Sequence, residues 1–206
     1  MQPSIVRRVS VLVTVMALSL VACGGTAGTP IELPGGTAAR SWGDGPYGLV
    51  LVHDIGHDAA SWSAQAVAFA GRGMTVLAVE DADADAVVNA ITWLLGSGIE
   101  RVALLGAGDG SVAVLTVGAE RAELVDQVIL ISATGDVATL GAFPKLFVAS
   151  EQEGAAADAE RMATEARGDW NALFLAPGSD SGQAILAGAA GEATMEAVVR
   201  RLEERR

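Results

Sequence analysis

Residues 101–115, RVALLGAGDGSVAVL, join an apolar run to a glycine-rich corner and then to a stretch of small side chains. A buried strand that turns sharply into a helix is the frame in which a GxSxG motif exposes a nucleophilic serine. Here the corner reads Gly106-Ala107-Gly108-Asp109-Gly110, so the frame is kept and the nucleophile's place falls to Gly108, which has no reactive atom. The inventory of bases points the same way. A serine working with a histidine and an acid needs an imidazole to accept its proton near neutral pH. The chain has only His53 and His57, both in the loop after its first buried run. Either a different constellation does the chemistry or there is none.

Two nearby side chains are fallback nucleophiles. Ser111 stands three positions beyond Gly108, but a small residue there also suits close helix-to-strand packing, and nucleophile geometry tolerates little displacement. Asp109 fits a small-x-nucleophile-x-small pattern shifted by one residue, although the shift turns the preceding strand residues to the wrong faces. A first-turn aspartate favoured by the helix dipole accounts for it at less cost. Asp81, Asp83 and Asp85 alternate as in a calcium loop, yet Ala86 stands where such a loop requires Gly and Thr92 where it requires Glu. His53, Asp54, His57 and Asp58 share one loop at a spacing that matches no standard metal site. No metal and no cofactor is expected. Trp42, Trp62, Trp93 and Trp170 are dispersed and form no stacking platform.

The elements that must position these residues follow from apolar periodicity. Gly35-Gly36, between IELP and TAARSW, suits a hairpin turn. Continuous apolar runs at 49–53, 74–79, 101–105, 127–132, 145–149 and 172–176 read as buried parallel strands. Between them, 62–72, 86–95, 111–122 and 155–167 read as helices, and 181–206 as a terminal helix with a Gly-Ala-rich irregularity at 188–191. Alternating strands and helices predict an α/β fold: a doubly wound, mainly parallel sheet with helices on both faces.

The 206 residues, 51% apolar and only 4% aromatic, suffice for one domain packed from small aliphatic side chains. Residues 1–22 read as a leader: Arg7 and Arg8 form a positive n-region, and 9–20 is an apolar run too short for an ordinary transmembrane helix. Leu20-Val21-Ala22-Cys23 resembles the lipobox of bacterial lipoproteins, which implies cleavage before Cys23 and lipid on it. As the only cysteine, Cys23 excludes an intramolecular disulfide. Residues 23–30 then read as a flexible tether and 31–206 as the domain, held by lipid at the extracytoplasmic face of a membrane in the cell envelope. The formal charge of -12 becomes -14 without the leader, a surface that repels nucleic acid.

The mature chain resembles the α/β-hydrolase superfamily, in particular compact bacterial members related to dienelactone hydrolases. The resemblance rests on five segments in order: LVLVHDIGHDAASW, RGMTVLAVE, VALLGAGDGSVAVL, PKLFVASEQEG and LFLAPGSDSG. It implies an α/β-hydrolase fold, and the 132–144 link is too short for a lid domain. Carried over position by position, the nucleophile falls on Gly108, the acid on Glu153 or Glu151, and the histidine on Ser181. His53, Asp54 and Asp109 fall in the oxyanion region, with Asp54 where the family has glycine. A carboxylate there puts negative charge where N–H donors must stabilise an oxyanion. The expectation is a pseudo-hydrolase whose relict cleft binds a small molecule or whose surface serves as a scaffold. The alternative is an active esterase using Ser111 or Asp109.

Overall fold

The structure, a computed structural model, describes residues 26–205. The leader and Cys23 lie outside the described residues. The chain forms one eight-stranded sheet in the order β1-β2-β4-β3-β5-β6-β7-β8. The strands are β1 (Thr29–Glu32), β2 (Ala38–Trp42), β3 (Tyr47–Val52), β4 (Met74–Val79), β5 (Arg101–Ala107), β6 (Gln127–Ile131), β7 (Lys145–Ser150) and β8 (Asn171–Ala176). β1 and β2 form an antiparallel hairpin, β2 joins β4 antiparallel, and all remaining pairs are parallel. Gly35 and Gly36 make the hairpin's turn with φ of 80° and 82°. Residues 29 and 30 belong to β1, so the folded domain begins earlier than the boundary at 31 expected for the tether.

The helices are α1 (Ser63–Ala70), α2 (Ala84–Gly96), α3 (Gly110–Glu120), α4 (Ala156–Glu165), α5 (Ala184–Ala187) and α6 (Gly191–Arg205). Side chains alternate along each strand, and this period of two divides the core. Val50, Val52, Leu77, Val79, Leu104 and Leu130 pack under α2, α3 and α4. Leu49, Leu51, Val76, Leu105, Ile129 and Ile131 pack under α1, α5 and α6. Burying one such aliphatic side chain stabilises the fold by roughly 1.5–3 kcal/mol, so a core of Ala, Val and Leu needs many of them.

Several expected boundaries differ by about two residues, and two differences bear on the site. The elbow strand runs two residues further, to Ala107, because its partner β6 pairs with it as far as Ala107 opposite Ile131. The terminal helix is divided into α5 and α6: the chain leaves helical geometry at Gly188, whose φ and ψ are -79° and -168°. Among the described residues no helix is long and apolar enough to cross a membrane.

From β3 the chain passes through α1 to β4 on one side, then returns through α2 to β5 on the other. The C-terminal ends of β3 and β5 therefore flank a topological switch point, where an open α/β sheet leaves a crevice. The loops leaving these two ends carry Asp54 and Gly108.

Candidate functional site

An open cleft of about 490 Å³ lies at this switch point, lined by Asp54, Gly108, Asp109, Ser132, Glu153 and Ser181 among others. Each comes from the loop after a different parallel strand, apart from the adjacent pair Gly108 and Asp109. A larger hollow of about 750 Å³ lies at the opposite end of the sheet, beside Tyr47, Arg72 and Arg101. We place the candidate site in the smaller cleft because side chains from five loops converge there.

Gly108 has φ of +50°, the left-handed conformation of a sharp strand-to-helix corner, and its N–H donates to the Ile131 carbonyl at 2.9 Å. The space in front of it is taken. A Cβ on Gly108 would lie 2.0 Å from Asp54 Oδ1 and 2.3 Å from Oδ2, and a Cβ on Gly182 would lie 2.1 Å from Oδ2. The Asp54 carboxylate thus stands where a side chain at position 108 would project. Its Oδ1 accepts the N–H of Ile55 at 2.8 Å and that of Asp109 at 3.0 Å. Asp109 is the residue before α3, so the carboxylate sits at that helix's N-terminus, which favours an anion. The N–H after the nucleophile position is the donor an oxyanion hole uses. Here the chain's own carboxylate holds it.

Glu153 is anchored rather than free in the cleft. Its Oε1 accepts the Ser150 N–H at 2.6 Å and the Ser132 hydroxyl at 2.9 Å, while the buried Oε2 has no hydrogen-bond partner. Ser132 Oγ also accepts the Gly182 N–H at 2.8 Å. Ser132 alone among the described non-glycine residues has positive φ, 51°. Gln183 ties the remaining loops together: its Oε1 accepts the Asp54 N–H at 3.0 Å and its Nε2 donates to Ser61 Oγ at 3.0 Å. Ser132 and Gln183 carry no motif: Ser132 ends the strand expected at 127–132 and Gln183 lies inside the terminal helix expected from 181, so no signal in the sequence marked either.

The histidines are placed elsewhere. The buried His53 ring has Nδ1 2.9 Å from the Asp54 carbonyl oxygen and Nε2 2.9 Å from that of Glu80, so both nitrogens face backbone. His57 is exposed, with Nδ1 3.3 Å from the Ile55 carbonyl oxygen. Ser181 is exposed at the cleft's edge. Ser111 is fully buried, its Oγ 3.5 Å from the Ile131 carbonyl oxygen. It packs under the corner and does not line the cleft, which removes the geometry a fallback nucleophile needs. Asp109 is exposed and lines the cleft. Among the described residues no three His, Cys, Asp or Glu side chains are grouped to hold a metal ion. Asp83 instead caps α2, its Oδ1 accepting the Ala86 N–H at 2.8 Å.

Solved structures place this architecture in a class. The chain is similar to the enol-lactonase of Burkholderia xenovorans LB400, at 13% identity and a TM-score of 0.64 over 85% of this chain and 100% of that one. It is similar to a monoacylglycerol lipase of Paleococcus ferrophilus, at 12% identity and 0.67 over 82% and 99%. A hydrolase of Pseudomonas aeruginosa aligns at 13% and 0.66 over 84% and 97%. No protein-family model matches the chain, and no curated protein matches its sequence. The fold is that of the α/β-hydrolases.

Proposed function

We propose that this chain is a lipid-anchored protein of the bacterial cell envelope that has kept the α/β-hydrolase frame and given up its hydrolysis. Its cleft serves as a small-molecule pocket, or its surface as a scaffold. The observation that carries this reading is the Asp54 carboxylate in front of Gly108, accepting the Asp109 N–H. A tetrahedral intermediate needs that donor for its oxyanion, and a fixed negative charge beside it opposes the charge that must develop. Support also comes from the cleft's lining, which among the described residues contains no histidine, lysine or arginine. The anchoring part of the reading rests on the leader and on Leu20-Val21-Ala22-Cys23.

The test is turnover of a short-chain activated ester by the full chain, beside Asp109→Asn and Ser111→Ala. The unmodified protein is expected to give no rate above buffer. Turnover that either substitution abolishes overturns the proposal in favour of an esterase with an atypical nucleophile. Incorporation of labelled palmitate into the chain, lost in Cys23→Ser, tests the anchor separately.

A further inference from the structure

We infer that the domain stands on its membrane by the N-terminal ends of its parallel strands, with the cleft directed away from lipid into the aqueous space. This rests on the lipid anchor at Cys23 proposed above. The described chain begins against β2. The Trp42 indole N–H donates to the Thr26 carbonyl at 3.3 Å, and an Arg40 guanidinium N–H donates to the Ala27 carbonyl at 3.0 Å. Gly28, with φ of +70°, lies so close to the buried Trp42 ring that a Cβ there would come within 2.4 Å of it. The chain is therefore fixed to the core three residues after Cys23. Three residues reach at most about 10 Å.

The register locates this point. Trp42 pairs with Val76 near the start of β4, and Ala39 with Val79 at its end. Thr26 thus enters at the end of the sheet where the parallel strands begin, and the cleft is at the end where they finish. A six-residue strand such as β3 separates the two ends by about 20 Å. The leash is about half that length. Rolling the molecule over to bring the cleft to the lipid would require a reach the chain does not have.

Charge gives an independent reason. The connections leaving the C-terminal ends of β3 to β8, residues 53–58, 80–83, 108–109, 132–144, 151–155 and 177–183, contain ten carboxylates and no Lys or Arg. At the opposite end, Arg72, Arg101, Arg121, the buried Lys145 and Arg167 stand near the starts of β4 to β8 among Asp44, Glu100, Glu123, Asp126 and Asp169, so the charge there nearly cancels. An anionic lipid surface repels the first end and tolerates the second. Its field fades within a Debye length of about 8–10 Å, which is shorter than the strands.

The experiment uses the full chain, processed in a bacterial host and reconstituted into phosphatidylethanolamine–phosphatidylglycerol vesicles doped with a nitroxide-headgroup lipid. Asp44→Cys labels the turn before β3, and Ile55→Cys, 76% exposed in the native chain, labels the cleft end. A thiol-reactive fluorophore at position 44 is expected to be quenched at least about threefold more than one at 55, given the strand and leash lengths. Equal or reversed quenching in vesicle-bound protein overturns the orientation and leaves the anchor standing. Fluorophore attaching to Cys23 of the unsubstituted chain, with protein lost from the vesicles, overturns both.

Discussion

At the scale of single residues, the site turns on the pair Gly108 and Asp54. A serine at 108 must adopt φ near +50° and push its Cβ into the Asp54 carboxylate. Gly108→Ser is therefore expected to destabilise the chain by about 1–3 kcal/mol in denaturant unfolding. In an Asp54→Gly background the cost should fall toward that of the backbone conformation alone. Equal costs in the two backgrounds would show that the carboxylate is not in the way. Introducing Gly108→Ser and Ser181→His while leaving Asp54 in place should yield no esterase, because the Asp109 N–H stays bound to the Asp54 carboxylate.

Lys145 is fully buried at the start of β7, its Nζ donating to the carbonyls of Phe143 at 2.7 Å and Arg167 at 2.6 Å. Burial, and then the nearby Arg201, pull its pKa down from 10.5 to about 8. Below pH 8 the folded chain bears the burden of a buried ammonium. Between about 8 and 10.5 the unfolded chain holds more protons than the folded one, so stability rises with pH across that window. Tyr47 opposes this above pH 10: burial, and then its hydrogen bond to Asp126, raise its pKa, and the unfolded chain gains by ionising first. Unfolding measured from pH 7.5 to 10 should show the rise in the native chain and none in Lys145→Met.

At the scale of elements, the sharp loops at the C-terminal ends of the strands are held by caps and cross-links. α2 is the clearest case. Asp83 is its N-cap, extended in backbone, with a carboxylate on the Ala86 N–H. Asp83→Ala should lower stability by about 1 kcal/mol, and Asp83→Asn by much less, since an amide oxygen still accepts that bond. If both cost the same, charge at the helix end matters more than the cap. β8 shows the other side of element logic. It lies at the sheet edge and is only partly covered, although its run ALFLA reads like that of an interior strand.

At the scale of the whole molecule, net charge of -12 is gathered mostly at one end. Like charges in adjacent loops repel, and salt within a Debye length relieves them. Raising monovalent salt from about 10 to 200 mM should raise the thermal midpoint. The ion pairs are at the surface and offset little, so screening them loses less than it gains: Arg161 with Asp158 and Glu165, and Arg72 with Glu203, are examples. A falling midpoint would show that such pairs outweigh the repulsion.

The sequence by itself determined the strand and helix order, because buried parallel strands must be continuously apolar and the helices between them must present one apolar face. It also determined the absence of a reactive atom at Gly108 and of any histidine beyond residue 57, since these are matters of inventory. The family resemblance put Asp54 in an expected oxyanion region without showing where the carboxylate goes. The tertiary structure alone decided that. Asp54, Gly108, Ser132, Glu153 and Gln183 lie on separate loops up to 129 residues apart in the chain, and only the sheet's pairing order brings them together. The same holds for Ser111, whose burial depends on how α3 rests against β5 and β6 and not on its own spacing. Spacing along a chain reports local geometry. Contact between loops is a property of the packed sheet.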